Sequence, residues 1–164
     1  MKDLFPAIEY FTQLAKTNKL AAANGFHPCV CSGPESIQGI MESFKKERNF
    51  IMVDDTTSQQ TFGNGVGFFR RDVYTVFIVA AYRMDDMKDR EEKLNLCRKL
   101  FRQIHSRMLY DRDMLGDERL TFLQLNNIYS TEMPRYSYNG ATGLYFMIQN
   151  EQPIDISYDK SEWT

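Results

Sequence analysis

The stretch Val73-Tyr-Thr-Val-Phe-Ile-Val-Ala-Ala-Tyr82 decides the fold. β-Branched and aromatic residues fill it with no polar alternation, so both faces need cover and it reads as the central strand of a sheet. Just beyond it, Asp85 and Asp86 are placed to cap a long helix predicted to run to about Tyr110. Within that helix Met87, Glu91, Leu94, Cys97, Phe101, Ile104 and Met108 recur at threes and fours. The apolar part of this stripe is long enough to lie across a whole sheet.

Upstream, residues 3–22 place Leu4, Ile8, Phe11 and Ala15 at helical spacing, with Asp3 as N-cap and Pro6 in the first turn. Asn24-Gly25 ends that helix, and a short extended piece covers residues 26–31. Gly33-Pro34 opens a second helix over residues 34–48, striped by Ile37, Ile40, Met41 and Phe44 and closed by Lys45, Lys46 and Arg48. Residues 50–53 read as a covered strand bounded by Asp54 and Asp55, and the glycines from Gly63 to Gly67 mark a turn.

Downstream, Gly116 turns the chain within residues 111–118. Residues 120–129 and 142–149 read as extended, separated by a loop with Pro134 and Asn139-Gly140. One more strand is predicted over residues 154–158, in an extended tail from about residue 150. The expected fold is a single α+β domain over residues 1–164. A mainly antiparallel sheet is covered on one face by the long amphipathic helix, with two N-terminal helices.

The chain carries a net charge of −2 with 43% hydrophobic and 26% charged residues, a composition that folds. It lacks the general basic surface that displaces counterions from phosphates, so no sequence-specific nucleic-acid partner is expected. Three cysteines, two of them one residue apart at Cys29 and Cys31, fit a reducing compartment. Asp3 and Glu9 interrupt what would be the apolar part of a signal peptide, and no run reaches the roughly 18 apolar residues of a membrane span. A cytosolic protein, or one assembled from the cytosol, with no membrane partner is the expectation.

The reactive side chains form no recognisable constellation. His27 and His105 fall in different elements. His27, Cys29 and Cys31 share one face of a strand, but no second half completes a tetrahedral metal set, and they read as structural. Gly63-Asn-Gly-Val-Gly67 lacks the Lys-Ser/Thr ending of a phosphate loop, and no serine sits in a GxSxG context. Asp54-Asp55 and Asp85-Asp86 read as a strand end and a helix cap. No catalytic residue, cofactor or metal is assigned, and a non-enzymatic role is expected.

Two surfaces have the chemistry of contacts. Arg98, Lys99, Arg102 and Arg107 on the long helix lie among Asp89, Glu91, Glu92, Asp111 and Asp113, the pattern of a solvated face or a subunit contact. Twelve Phe and nine Tyr are many for one small domain, and Tyr129, Tyr136, Tyr138, Tyr145 and Tyr158 fall in the C-terminal third. They read either as ordinary strand aromatics or as an interface, where tyrosine is favoured. Phe62 and the run Phe68-Phe69-Arg70-Arg71, beside the glycine turn, suit a projecting hairpin that docks on a neighbour.

An opening helix, a short strand, a hairpin into Tyr74-Thr-Val-Phe-Ile-Val-Ala-Ala-Tyr82, a long helix and closing strands ending in Gly143-Leu-Tyr-Phe-Met-Ile148 resemble, as a layout, the tail-terminator and head-tail joining proteins of tailed phages. The layout differs in its added helix over residues 34–48 and its tail. The resemblance implies a structural virion protein, assembled in the host cytoplasm, whose homo-oligomeric, hexameric ring caps the tail tube and joins it to the neck. Its partners would be tube and neck proteins. Contacts are expected at Phe62, Phe68, Phe69, Arg70, Arg71, Tyr136, Tyr138 and Tyr158. The alternative is a small non-enzymatic binding or regulatory module of a mobile element.

Overall fold

A computed structural model describes residues 5–44, 46–135 and 137–164. Among the described residues the chain forms four α-helices and a mixed sheet of six strands. The α+β fold expected from the sequence is present. In order, the elements are α1 (Ala7–Thr17), α2 (Lys19–Ala23), β1 (Phe26–Cys31), α3 (Ile37–Ser43), β2 (Asn49–Asp54), β3 (Ser58–Gly63), β4 (Phe68–Ala81), α4 (Met87–Asp113), β5 (Tyr129–Glu132) and β6 (Ala141–Ile154).

The strands lie in the order β1, β2, β4, β6, β5, with β3 also pairing to β4. Only β1 and β2 run parallel, and all other pairs are antiparallel. Residues Val76 to Ala80 of β4 are 0–4% exposed, as expected for a strand covered on both faces. On one face Tyr74, Val76, Ile78, Leu144, Phe146 and Ile148 pack against α1 and α4. Phe146 is the pivot, with its ring 5.8 Å from Phe11 of α1 and 4.8 Å from Phe101 of α4.

The opposite face is also partly covered, as the apolar central strand requires, but by an element to which the sequence reading assigned no face. There Phe50, Met52, Phe77 and Val79 pack with Cys31, Ile37 of α3 and Met133. A strand with large apolar residues on both sides demands two covers, and α3 supplies the second.

Several element boundaries differ from expectation. The opening helix breaks at Asn18, whose side chain accepts from the Ala21 amide and caps α2. The predicted cap Asp3, with Leu4, lies outside the described residues, and Pro6 occupies the N-cap position of α1. The helix predicted over residues 34–48 is a 3₁₀ turn, Pro34–Ser36, followed by α3, which stops at Ser43. Lys46 and Arg48 therefore lie beyond its end, and Lys45 lies outside the described residues.

The long helix starts as expected, with the Asp86 side chain accepting from the Asp89 amide, but runs on to Asp113. Its buried stripe is Leu94, Cys97, Leu100, Ile104, Met108 and Asp111, so Leu100 joins the expected positions, while Phe101 packs half-buried at the edge of the stripe against Phe146. Residues 120–128 are not a strand, and only Tyr129 of the predicted segment is, as the first residue of β5. Leu120, Leu123 and Leu125 are all buried from one side, a spacing that period-two alternation cannot satisfy. The segment begins in a 3₁₀ turn, Glu118–Leu120, and its backbone pairs with the sheet at the bridge of Leu123 with Asn150. The strand predicted over residues 154–158 is absent, because β6 itself continues to Ile154 and the tail begins after it.

Candidate assembly surface

The ladder between β4 and β6 is longer than the core it crosses. It pairs fourteen residues of each strand, from Phe68 with Ile154 to Ala81 with Ala141. At about 3.4 Å per residue each strand spans roughly 45 Å. The last fully covered pair toward the hairpin is Asp72 with Asn150, at 0% and 3% exposure. Beyond it β3, β4 and β6 continue as a three-stranded arm whose turn carries Val66, 90% exposed.

One face of the arm is a cross-strand ladder of side chains. Phe62 and Phe69, directly opposite each other, stack with ring centroids 5.8 Å apart and planes at 22°. The Arg71 guanidinium lies 5.0 Å from the Phe62 ring centre. Its Nε and Nη2 donate to Glu151 Oε2 at 3.0 and 2.8 Å, and Nη1 donates to Gln60 Oε1 at 3.2 Å. One arginine thus ties all three strands together and stiffens the arm.

The other face carries Phe68, about half exposed, with its ring against the cross-strand Gly63. Arg70 also points to this face, where its Nε donates to Asp72 Oδ1 at 2.9 Å. It neutralises a fully buried carboxylate. The structure therefore brings Phe62, Phe68, Phe69, Arg70 and Arg71 together on the arm.

It places Tyr138 elsewhere and Tyr158 in the tail that leaves the sheet beside the arm. Tyr138 packs at the α3 side of the sheet, and its hydroxyl donates to the Pro34 carbonyl at 3.0 Å, pinning the loop before β6. Tyr158 is 73% exposed in the tail and stacks on Trp163 at 6.4 Å. Tyr136 lies outside the described residues. Sequence reasoning missed Trp163, Ile156 and Val66, which are exposed on or next to the arm and tail. The available signal was apolar residues in a stretch otherwise rich in charge and Ser.

The histidines, the strand cysteines and Asp54 have structural surroundings. His27 lies on the same face as Cys29 and Cys31, with its ring centre 4.8 Å from that of Phe44. Burial pushes the Cys29 thiol up to about 11 and the Cys31 thiol up to about 12, with the Asp54 carboxylate adding to the second. Thiols so raised are poor nucleophiles. His105 Nε2 is 2.7 Å from the Leu125 carbonyl and holds the loop after α4. Asp54 Oδ1 accepts from the Gly33 amide and from the Thr56 amide and hydroxyl, closing the end of β2.

Between α1 and the base of the arm lies a groove of about 1200 Å³, lined by Phe5, Ile8, Thr12, Arg70 and Tyr74 among others. Its walls are mainly apolar. Among the described residues no helix is long and apolar enough to cross a membrane. No family model matches this chain, and neither a curated protein nor a solved structure matches it.

Proposed function

We propose that this protein is a structural subunit that works by self-assembly, as a ring capping the tail tube of a tailed phage or prophage and joining it to the neck. The observation that supports it is the arm. It is a rigid three-stranded extension with Phe68 exposed on one face and the Phe62–Phe69 stack, half-buried beneath Arg71, on the other, and among the described residues no helix packs over it. Large aromatic side chains on a stiff projection are the anatomy of a subunit contact. Assembly takes place in the host cytoplasm, with the virion tail and neck as destination.

Negative-stain electron microscopy of the purified protein tests the ring. Closed annular particles are expected, and fields containing only monomer-sized particles would refute the proposal. A second reading, a small non-enzymatic binding module of a mobile element, draws on the apolar groove between α1 and the arm. Its volume reaches that of small-molecule sites, roughly 300–1,000 Å³.

A further inference from the structure

A second groove lies on the far side of α1, between the α1–α2 corner and α4, with a volume of about 1020 Å³. Leu20, Ala23 and Tyr110 give it apolar surface, and Lys19, Arg102 and Arg107 line it with positive charge. Among the described residues no carboxylate lines it. Arg107 is held by Asp111 at 2.6 Å, but Lys19 and Arg102 are exposed and make no ion pair among the described residues.

The C-terminal tail has the complementary character. All of residues 155–164 are exposed, including Ile156, Tyr158 and Trp163 at 52%, 73% and 67%. Asp155, Asp159 and Glu162 stand against a single lysine, Lys160. The tail is locally shaped: the Ser161 amide and hydroxyl donate to Asp159 Oδ1 at 2.8 and 2.7 Å, and Tyr158 stacks on Trp163. This acidic segment presents a ready-made aromatic pair to solvent.

We infer that the tail of one copy docks in the basic groove of the next, with Tyr158 and Trp163 against Leu20, Ala23 and Tyr110 and the tail carboxylates facing Lys19 and Arg102. Aromatic pairs bury well in such grooves, and opposite charge fixes orientation and register. A contact between two different patches is head-to-tail, the kind that closes into a ring when the rotation per subunit allows. The inference rests on the self-assembly proposed above.

Trp163 is the only tryptophan in the chain, so its emission reports the tail alone. A dilution series read by fluorescence and sedimentation velocity in parallel is the test. Emission should shift to the blue as the oligomer forms. The double variant Lys19→Glu, Arg102→Glu should weaken association about tenfold or more and return the emission to its solvent-exposed position. Adding Asp155→Lys and Glu162→Lys to that variant, which leaves the Asp159 turn intact, should restore both signals. All four positions are exposed, and unchanged far-UV circular dichroism verifies folding. An oligomer whose Trp163 stays solvent-exposed, or whose blue shift survives the charge reversal, overturns tail docking while leaving self-assembly standing. A blue shift independent of concentration places the tail on its own chain and overturns it too. A chain that is monomeric throughout defeats both readings.

Discussion

Phe68 and Ile154 face each other as the outermost pair of the β4–β6 ladder, so the glycine hairpin and the C-terminal tail leave the sheet at the same point. Two segments more than eighty residues apart in sequence form one continuous projection. Its stiffness comes from Arg71 and its apolar surface from Phe62, Phe68 and Phe69.

Replacing Phe68 and Phe69 together by Ser removes that surface without touching the core. Since Phe68 is about half exposed, the cost to monomer stability is expected to stay near 1–2 kcal/mol, well below full aromatic burial. Association should weaken by at least about tenfold. Sedimentation velocity and circular dichroism on the same samples read the two effects. Unchanged ring formation would count against the arm as a contact.

Tyr10 tests how the helical layer is held. Its hydroxyl donates to Asp111 Oδ2 at 2.8 Å, and Arg107 Nε donates to the other oxygen at 2.6 Å, joining α1 to the last turns of α4. Tyr10→Phe leaves a buried carboxylate one donor short, and a loss of about 1–3 kcal/mol is expected in urea unfolding. An unaltered midpoint would show that the pair contributes nothing.

Gly143 is fixed by contact. It has φ of +154° and lies opposite Val79, and a Cβ there would overlap the Ile78 carbonyl oxygen. Gly143→Ala must separate β4 from β6 at the centre of the sheet, and a loss above about 2 kcal/mol is expected. A thermal melt within a degree of the parent protein would contradict this close approach.

The cysteines set an alkaline limit. Burial raises Cys97 and Cys31 to about 12 from an ordinary 9.0 and Cys29 to about 11. The folded chain therefore keeps protons that the unfolded chain releases above about pH 9. This contribution is fully present below pH 9 and is lost as pH rises toward 12, by up to about 1.4 kcal/mol per pH unit for the deeply buried Cys97. Urea midpoints at pH 8 and pH 10.5 should fall in that order, and iodoacetamide at pH 8 should spare Cys97 until the protein is denatured. Stability that rises above pH 9, or rapid labelling of native Cys97, would be inconsistent with this burial.

The central strand, the long helix with its Asp86 cap and the hairpin turn were legible because each carries a local signal: unbroken β-branched residues, an i, i+3, i+4 stripe, and clustered glycines. Residues 120–129 misled because Leu120, Leu123 and Leu125 are buried by tertiary contact while the backbone around them is irregular. The second cover over the sheet was hidden because the short α3 shows the same apolar stripe whichever face it packs on. At the candidate site, Phe68 and Phe69 were visible beside their turn. Their junction with the tail was not, since strand register is set by the whole sheet rather than by either segment.

The mass of the purified chain in solution, followed by sedimentation velocity over about a hundredfold range of concentration, bears most directly on self-assembly. A discrete closed oligomer is expected, hexameric if the ring follows the tail-terminator layout. A species that stays at the 19.2 kDa of the single chain across the whole range would contradict it.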